Sequence, residues 1–96
     1  MDLSVVILSF NTKELLSNCL TSIDKNTSGV DFEVIVVDNA SVDGSSAMVK
    51  KQFPKVKLIE NKDNLGFTKG NNQGIKKASG RYILLLNSDT LLKDNS

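Results

Sequence analysis

Residues 3–9, 32–37 and 82–86 form three almost wholly apolar runs, and each gives way abruptly to a polar tip: Ser9 with Asn11, Asp38-Asn39, and Asn87-Ser88-Asp89. An apolar run without alternation reads as a parallel strand covered on both faces. Such strands need helical crossovers, and ligands bind just outside their carboxyl ends. The tips are therefore where any chemistry is expected, with Asp89 placed where a cation or phosphate would lie. Asn, Ser and Asp are also ordinary turn residues, so a purely local role for each remains open.

The segments between the runs have the helical period. Leu15, Leu16, Cys19, Leu20 and Ile23 make one apolar stripe, closed by residues 26–29. Asn11 and Glu14 have capping-box spacing, which predicts a helix starting behind Asn11. After the turn at 40–46, Ala47, Met48, Val49 and Phe53 give a second helix a shorter buried side, and Pro54 stops it. Residues 56–60 alternate, as an outer strand with one wetter face would. Phe67, Asn71, Gly74, Ile75 and Ala78 then predict a third helix with a polar residue on its inward face, and Gly80 is expected as a left-handed cap. The order is βαβαβαβ. Right-handed crossovers turn it into a Rossmann-like α/β fold: a parallel sheet of four strands, order 3-2-1-4, with helices on both faces.

Composition limits what such a sheet could do. Ninety-six residues make one small domain, and a net charge of +1 with interspersed signs gives no electrostatic footprint for nucleic acid. Lys50, Lys51, Lys55 and Lys57 cluster, but Glu60 and Asp63 nearby favour a solvated face. The absence of histidine excludes a histidine relay within these residues and leaves carboxylates, amides, hydroxyls and lysines. Cys19 lies on an apolar helix face, which fits a core thiol in a reducing compartment. The first apolar run is too short to span a bilayer and lacks a preceding basic segment, so the expected location is cytoplasmic, or the cytoplasmic side of a membrane-associated protein.

In the order 3-2-1-4 the second and fourth strand tips are two strand spacings apart, roughly 10 Å, a gap that a nucleoside diphosphate spans. Asp38 could accept a hydrogen bond from a base N–H while Asp89 holds a divalent cation, a hard ligand for a hard ion. The amino end of the third helix faces the same crevice with free N–H groups that favour anions. There Gly66 and Gly70 would allow close approach, Lys69 adds positive charge, and Asn71 and Asn72 add amide donors. Taken singly, Asp38 as a cap, Gly66 as a turn and Asn71 as a core amide remain open.

Four stretches carry a resemblance: Val5 to Asn11, Val36 to Ser45, Asn64 to Ile75 and Leu84 to Asp89. Together they resemble the amino-terminal half of a family 2 glycosyltransferase of the GT-A fold, and Gly70-Asn71-Asn72-Gln73-Gly74-Ile75 is most similar to the rhamnosyltransferase-like branch. The resemblance implies transfer of a sugar, rhamnose among the candidates, from a dTDP- or UDP-sugar to the hydroxyl of a glycan or lipid-linked acceptor, with inversion. It implies that Ser9 and Asn11 flank the nucleoside, Asp38 and Asn39 bind it, and Gly66, Lys69, Asn71, Asn72, Asn87 and Ser88 complete the donor site. Asp89 would be the metal-binding aspartate of an Asp-x-Asp motif, with Mn2+ or Mg2+ as the ion. Asn87 departs from that motif, replacing its first acid and removing one charge. The family places its general base downstream of this motif, so residues 1–96 are expected to be a donor-binding half, inactive alone. A fourth strand left as the edge could pair with a second copy. A nucleotidyltransferase and a non-catalytic nucleotide-binding or interaction module are the rival readings; the first wants a glycine-rich basic loop after the first strand, where Ser9-Phe10-Asn11-Thr12 stands.

Overall fold

A computed structural model describes residues 2–27 and 29–88. The elements run β1 (Leu3–Ser9), α1 (Lys13–Asn26), β2 (Phe32–Asn39), α2 (Ser45–Gln52), β3 (Lys57–Asn61), α3 (Gly66–Lys77) and β4 (Tyr82–Asn87). All strand pairs are parallel and the sheet order is β3-β2-β1-β4, as the alternation of elements predicts.

One face of the sheet carries α1 and α2. There Val5, Ile7, Val34 and Val36 pack against Leu16, Cys19, Leu20, Ile23, Met48 and Val49, all buried. Leu15 was expected in this stripe but is 46% exposed, because residues 16, 19, 20 and 23 alone fall within the arc that meets the sheet. Ala47 likewise faces outward.

The other face carries α3, which lies over β1 and β2. Of the face expected to turn inward, Asn71 and Gly74 are buried, joined by Gly70, whereas Phe67 and Ile75 are exposed, so small residues make the contact. A Cβ on Gly70 would lie 2.5 Å from Leu8 Cδ1, and one on Gly74 would collide with Val6 Cγ1. The two glycines bring the helix axis close to the sheet. So Gly70 serves helix packing rather than the approach of a ligand.

Three further expectations are corrected. Asn11 does not cap α1: the helix starts at Lys13, and Asn11 is left-handed (φ 50°) with its side chain turned to the β2–α2 loop. Gly80 is not left-handed; only Gly29, Gly44 and Gly66 among the glycines are, and Gly66 has open space around its missing Cβ. Gly80 is needed for clearance, since a Cβ there would lie 2.6 Å from Ser4 N and 2.7 Å from Leu3 C. Finally β4 is an edge strand among the described residues, as the order 3-2-1-4 makes it; its run reads as covered on both faces, but Tyr82, Ile83, Leu84 and Leu85 are all exposed.

Candidate nucleotide-binding edge

The strand registers bring the three polar tips together. Ser9 pairs with Asp38 across β1–β2, and Leu8 pairs with Asn87 across β1–β4, so the β1 tip stands between the other two. Parallel pairing fixes this alignment, and no intervening strand separates the tips.

On the α1–α2 side, two turns are clasped. Ser41 Oγ accepts from Asn11 N at 2.8 Å, and Asn11 Oδ1 accepts from Val42 N at 2.8 Å. Asp38 is buried beneath them: Oδ1 accepts from the backbone N–H and hydroxyl of Ser41, and Oδ2 from the Ser46 hydroxyl. The clasp requires left-handed backbone at Asn11 and at Ala40 (φ 66°). For alanine that conformation costs about 1–2 kcal/mol, and the surrounding hydrogen bonds offset it.

Asp43 links the starts of both helices. Its Oδ2 accepts from Lys13 N and its Oδ1 from Ser45 N, each at 3.0 Å, and Oδ1 also accepts from the Ser45 hydroxyl. The Ser45 hydroxyl is the main reason its carboxyl is held below its ordinary value of 3.8. A depressed folded pKa means that this contribution is present above the ordinary value and fades as pH falls. Asp43→Ala is expected to lower stability by about 1 kcal/mol at neutral pH, the usual effect of removing a side-chain acceptor from free N–H groups at a helix start, and by less in acid. Thermal melts at pH 7 and pH 3 check both.

Next to this clasp a hydroxyl chain crosses from β1 to β4. Ser9 Oγ lies 3.1 Å from Thr12 Oγ1, which lies 2.6 Å from Ser88 Oγ. An open hollow of about 380 Å³ lies alongside, lined by Asn11 to Leu15 and Asp43. A somewhat larger one, about 440 Å³, opens between Leu20, Val34 and Phe53 at the opposite end of the sheet, away from the tips.

On the α3 side, amides tie the helix start to the sheet. Asn39 donates from Nδ2 to Gly66 O at 3.2 Å and accepts at Oδ1 from Asn61 Nδ2 at 2.8 Å. Asn61 and Gln73 exchange a reciprocal amide pair at 2.7 and 2.9 Å, and Asn64 Oδ1 accepts from Gly66 N at 2.9 Å.

Of the residues singled out in the sequence, Ser9, Asp38, Asn39, Asn71 and Ser88 are therefore buried at the edge, while Asn11, Gly66, Lys69, Asn72 and Asn87 are exposed around it. Asp89 lies outside the described residues. Among the described residues no three acidic, cysteine or histidine side chains are placed to hold a metal. Thr12, Ser41, Asp43, Ser46, Asn61 and Gln73 were not foreseen as part of the edge. For Asn61, a polar tip ending β3 was the signal available.

A parallel 3-2-1-4 sheet with these tips along its carboxyl edge defines the Rossmann-like fold of the GT-A class. The chain belongs to glycosyl transferase family 2, whose model matches residues 4–96. It is 37% identical over 94 residues to an uncharacterized glycosyltransferase of Bacillus subtilis, covering 95% of this chain and 24% of that protein. It is 38% identical over 94 residues to the poly(ribitol-phosphate) beta-glucosyltransferase of Bacillus spizizenii, covering 93% and 15%. Among solved structures it resembles S. aureus TarS 1-349 in complex with UDP-GlcNAc, with a TM-score of 0.88, 29% identity, and 99% of this chain and 28% of that one covered. A mannosyltransferase from Pyrobaculum calidifontis in complex with GDP-Man and Mn2+ gives a TM-score of 0.83 at 26% identity, covering 93% and 28%. The chain thus spans between 15% and 28% of the length of these four proteins.

Proposed function

We propose that residues 1–96 form the nucleotide-sugar-binding part of an inverting glycosyltransferase that acts in cell-envelope polysaccharide synthesis on the cytoplasmic side. The observation that carries this reading is the β1 tip held between those of β2 and β4, which aligns Ser9, Asp38 and Asn87 along one edge. Asp38 takes the base: its carboxylate has about four acceptor positions, three of them engaged by Ser41 and Ser46. Asn11 borders the nucleoside, and Asn87, Lys69 and Asn72 face the diphosphate. Asn39, which is engaged by Gly66 and Asn61, and Ser9, which meets Thr12, act through what they hold in place.

The carboxylate of Asp89 and the amide oxygen of Asn87, two residues before it, are hard donors that fit a hard cation such as Mn2+ or Mg2+. A bound ion would offset the charge of the departing diphosphate. With one carboxylate to hold it, such an ion would depend on the diphosphate itself for further oxygen ligands. The TarS complexes with UDP and UDP-GlcNAc favour a UDP-sugar, UDP-GlcNAc first; the rhamnosyltransferase-like stretch at 70–75 makes dTDP-rhamnose the second donor to test.

Calorimetric titration with UDP, dTDP and GDP, each with and without Mn2+, tests the reading. UDP is expected to bind best and more tightly with metal, and Asp89→Ala to remove about tenfold in metal-supported affinity, or about 1.4 kcal/mol. Binding of none of the three nucleotides would overturn it.

A further inference from the structure

We propose that Thr12 is a positioning residue for the metal side of the edge: its hydroxyl holds Ser88, the residue before Asp89 in the sequence, against the tip of β1. The inference deepens the donor-binding reading and rests on Asp89 as the metal ligand. Four observations carry it. Ser88 lies one residue beyond the last residue of β4, so the ladder that aligns Leu8 with Asn87 does not reach it. Among the described residues β4 is held by β1 alone, which leaves its tip with fewer backbone constraints than those of β1 or β2. The Ser88 side chain is nevertheless buried, at 7% exposure, and its hydroxyl meets Thr12 Oγ1 at 2.6 Å, across 76 residues of sequence. Thr12 is itself fixed at both ends, since its carbonyl accepts the first α1 hydrogen bond from Leu16 N at 2.7 Å and its hydroxyl meets buried Ser9 at 3.1 Å.

A hydroxyl carries one hydrogen and two lone pairs, so Thr12, in the middle of the chain, donates to at most one neighbour and accepts from at least one. It therefore references the β4 tip to the central strand of the edge. Groups that orient a metal ligand without touching the metal typically change metal affinity by 10–100-fold when removed.

The test is the ratio of the UDP dissociation constants measured without and with Mn2+, for the wild type, Thr12→Val, Thr12→Ser and Ser88→Ala. Valine keeps the shape of threonine and removes both hydrogen bonds; it is expected to lower the ratio by roughly tenfold. Serine is expected to restore it, and Ser88→Ala to lower it as valine does. A threonine that only stabilised the fold would weaken binding with and without metal alike, leaving the ratio unchanged. An unchanged ratio in Thr12→Val and Ser88→Ala, with a wild type that responds to Mn2+, overturns the inference and spares the donor-binding reading. A wild type whose UDP binding ignores Mn2+ overturns the metal assignment and this inference with it.

Discussion

Glu33→Gln is expected to destabilise the protein by about 2–3 kcal/mol at neutral pH, and the deficit is expected to shrink to about 1 kcal/mol or less as pH approaches 2. Glu33 is a charged residue inside an apolar strand, 8% exposed. Burial alone would raise its pKa. Four hydrogen bonds outweigh that effect: Oε1 accepts from Lys57 Nζ at 2.6 Å, and Oε2 accepts from Ser4 Oγ at 2.5 Å and from the backbone N–H and hydroxyl of Ser79 at 2.7 and 2.9 Å. The result is a carboxyl lowered from 4.5 to about 2.

Because the folded pKa is depressed, the stabilisation is complete above 4.5 and is lost as pH falls from there through about 2. That shift corresponds to about 3 kcal/mol at 1.36 kcal/mol per unit, which we discount to about 2 because the Lys57 ammonium is half-exposed and screened. The amide of glutamine adds a donor facing the Ser79 N–H, which raises the cost again. Urea denaturation of both proteins at pH 7, 4 and 2.5 gives the comparison. A deficit that stayed constant across this range would show that the ionised carboxylate is not what stabilises the site.

Gly80→Ala is expected to cost about 2–3 kcal/mol and to lower the melting temperature by roughly 10–15 °C for a domain of this size. The magnitude rests on what the methyl would meet. Ser4 N at 2.6 Å and Leu3 C at 2.7 Å are backbone atoms of a central strand, and Ser4 Oγ at 2.7 Å is the acceptor of the Gly80 N–H. Restricting the unfolded chain would return only about 0.4–1 kcal/mol. No helix propensity is gained either, because Gly80 lies past the end of α3.

The two effects meet at Ser4, which accepts from Gly80 and donates to Glu33. The double variant Glu33→Gln/Gly80→Ala should therefore lose less than the sum of the singles. Full additivity would argue that the methyl is absorbed elsewhere.

How much of this could be read from the residues depends on the range of the interaction. The four strands, the three helices and the sheet order follow from local pattern and from the handedness of crossovers, and they were legible. Legible too was the convergence of Ser9, Asp38 and Asn87 on one edge, because topology alone dictates it. What the pattern could not show was which polar groups face each other. Asn11 and Glu14 have the spacing of a capping box, yet the Asn11 amide finds Val42, 31 residues away. Phe67 and Ile75 have the period of a buried stripe, but Gly70 and Gly74 define the closer approach and turn the helix. Glu33 passed as one polar residue in a strand because its partners, Ser4, Lys57 and Ser79, are distributed over the whole chain.

The shared carboxylate of Asp43 also shapes the field along the edge. Each helix amino end behaves as about half a positive charge, so α1 and α2 together present about one unit, which the one negative charge of Asp43 offsets, while Lys13 and Glu14 cancel in the first turn of α1. The first turn of α3 carries no acid, and Lys69 lies within it. The potential is thus lopsided: close to neutral above α1 and α2, and positive above α3. An incoming polyanion is pulled toward one flank before any specific contact forms, which presets its orientation, and added salt should blunt that guidance more than it weakens the final grip.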